Sequence, residues 1–245
     1  MDEAGLPRGA GGPKLGRYGE DVMPANTFMF DAYGTLFDVH SAVQRAGAPL
    51  GPLAEPVSQL WRAKQLEYSW ITTMMGGFED FWTLTARALD FALARHGIAD
   101  AALRQALLDA YRTLSAYADV APALGRLKAA GKTTAIFTNG TQEMVDAAIA
   151  AAGIGALIDH VVTVAAVGSY KPVPAVYRHA MGSVGIGLPG DIVFVSSNRW
   201  DVAGAAAFGF VPVWINRTAM PNEYPGADPV ATLADLSGLA PTLAG

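Results

Sequence analysis

Three apolar segments of this sequence each end in polar residues able to act on a small electrophile. Thr27-Phe28-Met29-Phe30 runs into Asp31, with Thr35 four residues on. Thr133-Thr134-Ala135-Ile136-Phe137 runs into Thr138-Asn139-Gly140, and Ile192-Val193-Phe194-Val195 into Ser196-Ser197-Asn198 and then Asp201. Lys171 lies in a loop between the second and third sets. Together they offer a candidate carboxylate nucleophile, a cation, hydroxyl and amide donors, and a second carboxylate. Taken singly, Asp31 as a turn residue and Thr138 and Ser196 as helix caps are equally good readings. Three polar strand ends in sequence, with a lysine, favour one shared site.

The elements that would hold these residues follow from the same runs. Short β-branched and aromatic stretches, with Val161 to Val164 and Val211 to Ile215 added, read as strands buried on both faces. Helical patterns lie between them at Pro122 to Ala130, Gln142 to Ala152 and Asp201 to Phe208, stopped by Gly131, Gly153 and Gly209. Pro172 and Pro174 suit the first turn of a helix running through Tyr177 to Met181. Alternating strands and helices predict a parallel sheet, and ligands of such sheets bind beyond the carboxyl ends of the strands. Residues 40–118 carry no strand signal. There Leu66, Trp70 and Met74 share a helical face with Ile71 and Met75 beside it, and Arg87 to His96 and Asp100 to Ala116 are helical in pattern.

The fold expected is therefore α/β, a Rossmann-like three-layer parallel-sheet core with a small helical cap inserted after the first strand. The core is assigned to 27–39 and 119–245, the cap to 40–118. A Gly-rich mobile tail over 1–26 precedes them, with Met23 as a candidate start.

Composition removes several classes. The chain has 245 residues, 51% hydrophobic and 16% charged, enough to bury a substantial core. A net charge of −5 argues against a nucleic-acid surface but not against a small anionic substrate. No cysteine is present, which excludes disulfides, thiolate metal sites and Cys nucleophiles and suits a reducing cytosol. No apolar run has membrane-spanning length, and the N-terminus lacks a signal-peptide apolar region. His40, His96, His160 and His179 have no metal-ligand spacing. Gly185-Ile186-Gly187-Leu188-Pro189-Gly190 fits GxGxxG as a string. It precedes a strand and contains Pro189, which argues against dinucleotide binding. No GxSxG nucleophile elbow occurs.

Asp31-Ala32-Tyr33-Gly34-Thr35-Leu36-Phe37-Asp38 resembles the first motif of the haloacid dehalogenase superfamily. Thr138-Asn139-Gly140, Lys171-Pro172 and Ser196-Ser197-Asn198-Arg199-Trp200-Asp201 resemble its second, third and fourth. Most members of that superfamily are magnesium-dependent phosphatases, with a second Asp two residues after the nucleophile and acidic metal ligands in the fourth motif. Here those places hold Tyr33, and Ser196 with Asn198, leaving Asp201 as the acidic residue. The departures match the L-2-haloacid dehalogenase branch. So do Val57-Ser58-Gln59-Leu60-Trp61-Arg62-Ala63-Lys64-Gln65-Leu66-Glu67-Tyr68-Ser69-Trp70, Phe78-Glu79-Asp80-Phe81-Trp82, and Trp214-Ile215-Asn216-Arg217.

The resemblance implies a hydrolase that opens carbon–halogen bonds of short (S)-2-haloalkanoic acids, with haloacetates as a further class, giving (R)-2-hydroxy acids by inversion. It implies Asp31 as the nucleophile forming an aspartyl ester, with Lys171 and Thr35 beside it. Asp201, Ser196 and Asn198 would direct the hydrolytic water. Arg62 and Asn139 would hold the halide. Thr138 and the backbone at Ala32 and Asn139 would hold the carboxylate, and Tyr33, Leu66, Phe81, Tyr177 and Trp200 would shape the substrate pocket. Two family positions differ: Thr138 replaces the usual Ser, and Ala63 the usual Gln. Without the resemblance, Arg62 reads as a solvated arginine, Leu66 and Phe81 as core, and Tyr177 as a packing residue. Neither metal nor cofactor is expected. The partners expected are a halogenated carboxylic acid and water, with no nucleic acid or membrane, in a cytoplasmic homodimer. Azetidine-2-carboxylate hydrolysis and a magnesium-dependent phosphatase are the alternatives.

Overall fold

The structure, a computed structural model, describes residues 26–242. Except for Asn26, the expected tail and the candidate start at Met23 lie outside the described residues. The described residues form one parallel sheet of six strands in the order β3-β2-β1-β4-β5-β6. These are β1 (Thr27–Phe30), β2 (Thr133–Thr138), β3 (His160–Thr163), β4 (Ile192–Ser196), β5 (Val211–Ile215) and β6 (Ala231–Leu233). β1 pairs with β2 on one side, Phe30 opposite Ile136, and with β4 on the other, Phe30 opposite Val195. The chain thus winds outward from β1 to β3 and then restarts on the far side at β4. That reversal opens a crevice at the carboxyl ends of β1, β2 and β4. The central strands are fully buried, as continuous apolar runs require.

Helices α5 (Val120–Ala129), α6 (Gln142–Ala152), α7 (Pro174–Ser183) and α8 (Arg199–Phe208) connect the strands. Gly153 and Gly209 end α6 and α8 in the left-handed conformation that the sequence signal anticipates. Between β1 and β2 lie α1 (Ser41–Ala46), α2 (Ala54–Met74), α3 (Phe81–Arg95) and α4 (Ala101–Arg112).

Several boundaries differ from the sequence expectation. Helix α4 stops at Arg112, not Ala116, because the next residues return to the sheet: Asp38 N–H donates to the Ser115 carbonyl, and Phe37 bridges Ala116. Helix α3 begins six residues before Arg87, capped by Asp80, whose carboxylate accepts from Thr83 N–H. Helix α5 begins at Val120 with Pro122 in its first turn, where no intrahelical N–H is needed. Val164 leaves β3 for a 3₁₀ turn. The short half-buried β6 has no counterpart in the sequence reading.

The apolar stripe of α2 is also not its buried face. Val57, Trp61, Gln65, Ser69 and Thr72 are buried, while Leu66 and Trp70 are half-buried and Met74 is exposed. The packed face tolerates polar groups because they find partners. Gln65 Nε2 donates to Thr85 Oγ1 at 3.0 Å, and Trp61 Nε1 donates to the Thr85 carbonyl at 2.8 Å.

Candidate active site

Asp31 leaves the end of β1 with its N–H bonded to the Val195 carbonyl of β4, and the residue is 6% exposed. Both carboxylate oxygens are occupied. Oδ1 accepts from Lys171 Nζ at 3.1 Å; Oδ2 accepts from Thr35 Oγ1 at 3.0 Å and Asn198 Nδ2 at 2.7 Å. Thr35 reaches back because Ala32 starts a tight loop, its carbonyl accepting from Thr35, Leu36 and Phe37. Thr35 Oγ1 also accepts from Ser197 N–H at 2.8 Å, tying the β1 and β4 loops together.

Lys171 enters from the loop before α7. Its ammonium spends three donors on Asp31 Oδ1, the Phe137 carbonyl (2.7 Å) and Asp201 Oδ2 (2.8 Å), over the faces of Phe137 and Phe194. The ammonium is fully hydrogen-bonded, but its single charge is shared by two carboxylates, so the buried trio carries one net negative charge when both are ionised.

Asp201 lies in the first turn of α8, with no exposure to solvent. Its Oδ1 accepts a 2.7 Å bond from the Tyr177 hydroxyl. Burial pushes its carboxyl up to about 6, against the opposing pull of Lys171, with Asp31 adding to the rise. Burial, with Asp201 next, holds Tyr177 well above the usual phenol range, so Tyr177 stays a donor. Gly204 makes the Tyr177 contact possible: a Cβ there would collide with the Tyr177 hydroxyl and with Pro172.

A small cavity faces Asp31, lined by Tyr33, Arg62, Leu66, Phe81, Thr138, Asn139, Asn198 and Trp200, with room for about one water. Arg62 reaches it from α2 and donates to the Tyr33 carbonyl at 3.0 Å. Asn139 Oδ1 accepts from Lys171 N–H at 3.1 Å, which turns its Nδ2 donors elsewhere. Thr138 Oγ1 accepts from Gly140 N–H and so keeps its own proton to donate. Gly140 is needed here, since a Cβ would lie 2.6 Å from Tyr33 Cε2.

The structure thus gathers nearly all the residues singled out in the sequence, in two layers. Asp31, Tyr33, Arg62, Leu66, Phe81, Thr138, Asn139, Asn198 and Trp200 line the cavity. Thr35, Lys171, Asp201 and Tyr177 stand behind Asp31; Tyr177 does not line the cavity but holds Asp201. Ser196 is buried, with its hydroxyl accepting from Asn198 N–H at 3.0 Å, and Ala32 is wholly buried in the loop. Tyr111 went unread. Its ring stacks on Tyr33 at 5.9 Å and 11°, and its hydroxyl donates to Gln65 Oε1 at 3.4 Å. Nothing local in the sequence distinguishes it from a core residue of α4.

These residues do not fit a magnesium ion. Asp31 Oδ2 and the Tyr33 carbonyl both accept from Asn198 Nδ2, an amide donor at the point where two hard oxygens converge. The remaining carboxylate, Asp201, is engaged by Lys171 and Tyr177.

Residues 25–209 match the model of the haloacid dehalogenase-like hydrolase family. The chain is 48% identical over 217 residues to (S)-2-haloacid dehalogenase 1 of Pseudomonas sp. (strain CBS-3), covering 88% of this chain and 95% of that one. It is 46% identical to (S)-2-haloacid dehalogenase 4A of Burkholderia cepacia, covering 88% and 94%. Among solved structures, a dehalogenase with intermediate complex superposes with a TM-score of 0.88 at 44% identity, covering 91% of this chain and 99% of that chain.

Proposed function

The chain belongs to the haloacid dehalogenase-like hydrolase family, and we propose that it hydrolyses short (S)-2-haloalkanoic acids to (R)-2-hydroxy acids through an ester on Asp31. The observation that carries this reading is Asn198. Its amide donates to both Asp31 Oδ2 and the Tyr33 carbonyl, suiting a metal-free carboxylate nucleophile. Within the family, this separates the reading from a magnesium-dependent phosphatase.

In the proposed first step, an Asp31 carboxylate oxygen attacks C2 from the face opposite the halogen. The C–O bond forms as the C–halogen bond breaks, which inverts C2, and the halide leaves with the electron pair. Arg62 and Asn139, on the cavity wall, supply donors where that negative charge develops. Thr138 Oγ1 and backbone N–H groups near Ala32 and Asn139 receive the substrate carboxylate. Tyr33, Leu66, Phe81 and Trp200 exclude water from the alkyl group.

In the second step, water attacks the Asp31 carbonyl and releases the hydroxy acid. Asp201 accepts the water's proton and returns it to the substrate oxygen as its bond to the Asp31 carbonyl carbon breaks, its carboxyl raised to about 6 and so poised near neutral pH. Asn198, held by Ser196, keeps Asp31 oriented for the attack, and Lys171 offsets the negative charge that develops on Asp31. Haloacetates, which lack the 2-alkyl group, are proposed as further substrates.

Among the described residues, no helix is long and apolar enough to cross a membrane. A cytoplasmic homodimer is the proposed setting. Exposed Ile71, Met74 and Met75 at the end of α2 offer an apolar surface for the second copy.

The test is halide release from (S)- and (R)-2-chloropropionate in EDTA, for wild type and Asp31→Ala. Release from the (S) substrate alone, insensitive to EDTA and abolished by the substitution, is expected. Release that requires magnesium, or that survives in Asp31→Ala, would overturn the reading.

A further inference from the structure

We propose that Arg217 is a positioning residue for the Asp31 nucleophile, acting through the backbone of Thr35. Arg217 follows β5 by two residues and does not line the cavity in front of Asp31. Its Nη2 donates to the Thr35 carbonyl at 3.0 Å and to Asp119 Oδ2 at 2.9 Å. Its guanidinium lies 3.9 Å from the centroid of the Tyr117 ring. The pair is largely withdrawn from water, with side-chain exposures of 15% for Arg217 and 10% for Asp119.

Thr35 is the residue whose hydroxyl donates to Asp31 Oδ2 and accepts from Ser197 N–H. Where that hydroxyl stands is set by the Thr35 backbone, and the Thr35 carbonyl is the atom Arg217 grips. The same guanidinium holds the returning chain through Tyr117 and Asp119, and Tyr117 N–H donates to the Leu36 carbonyl at 3.0 Å. Asp119 is itself fixed by the Leu236 N–H at 2.6 Å. Arg217 therefore joins both chain crossings between the sheet and helices α1–α4, one of them a single hydrogen bond from the nucleophile. A lysine keeps the charge but lacks the planar fork and the flat face that lies over Tyr117.

The test is a double-mutant cycle with Arg217→Met, Thr35→Val and the combined variant. It measures single-turnover ester formation on (S)-2-chloropropionate, KM and Tm. Arg217→Met is expected to slow ester formation by ~10–100-fold, as a misplaced nucleophile does, with KM changed by less than about threefold. In the Thr35→Val background, where the hydroxyl is gone, the same substitution is expected to cost less than about threefold. Arg217→Lys should restore part of the rate; if Arg217→Met does not fold, Arg217→Lys runs the same cycle. Additive losses, or an unchanged rate in Arg217→Met, would overturn the inference. It rests on Asp31 being the nucleophile: no ester in the wild type would remove both readings, whereas an active wild type with additive losses removes only this one.

Discussion

The Tyr177 hydroxyl donates a 2.7 Å hydrogen bond to Asp201 Oδ1 in a region closed to solvent. Asp201 must be ionised to accept a proton from water, and burial holds its carboxyl at about 6. Turnover is therefore predicted to persist above about pH 6 and to be lost as pH falls through that value. Tyr177→Phe removes a bond that favours the carboxylate, so the acid limb of the kcat–pH profile should move to higher pH. An acid limb that stays in place would remove Asp201 from the water step.

Asn198→Ala deletes the 2.7 Å amide bond to Asp31 Oδ2. A hydrogen bond to a charged group contributes ~1.5–3 kcal/mol, so kcat is expected to fall by ~10–150-fold. Steady-state kinetics on (S)-2-chloropropionate checks this; a loss confined to KM would mean that Asn198 binds substrate without orienting the nucleophile.

Thr85→Val preserves shape but leaves the buried Gln65 Nε2 without its 3.0 Å acceptor. An unsatisfied buried amide costs ~1–3 kcal/mol. Thermal unfolding should show Tm lowered by ~2–12 °C, given ~2–4 °C per kcal/mol in a chain of this size. An unchanged Tm would mean that Gln65 finds another acceptor.

Asp31, Thr138, Asn139 and Asn198 were legible because each lies in a short motif at the end of an apolar strand, and Lys171 because it is a lone cation in a loop between those motifs. The parallel sheet then brings Asp31, Lys171 and Asn198 together although 140 residues separate Asp31 from Lys171 and 167 separate it from Asn198. The resemblance to the dehalogenase branch added Arg62, which patterning alone would leave in solvent. The stripe Leu66–Trp70–Met74 could not reveal the packed face of α2, because that face uses polar residues, among them Gln65 and Ser69, whose side chains donate to Thr85 and to the Leu66 carbonyl. Tyr111 and Arg217 were not assigned roles for a similar reason. Their contacts with Tyr33 and Thr35 span 78 and 182 residues, and local sequence carries no trace of them. Gly140 was visible as part of a motif, but the steric need for it depends on where Tyr33 lies.

The central claim is a covalent ester on Asp31. The most direct measurement is mass analysis of acid-quenched protein shortly after mixing with (S)-2-chloropropionate, followed by peptide mapping. The account predicts a transient 1-carboxyethyl adduct on the peptide carrying Asp31, persistent in Asp201→Asn and absent with the (R) substrate. Halide release without any adduct on Asp31, in wild type and Asp201→Asn alike, would contradict it.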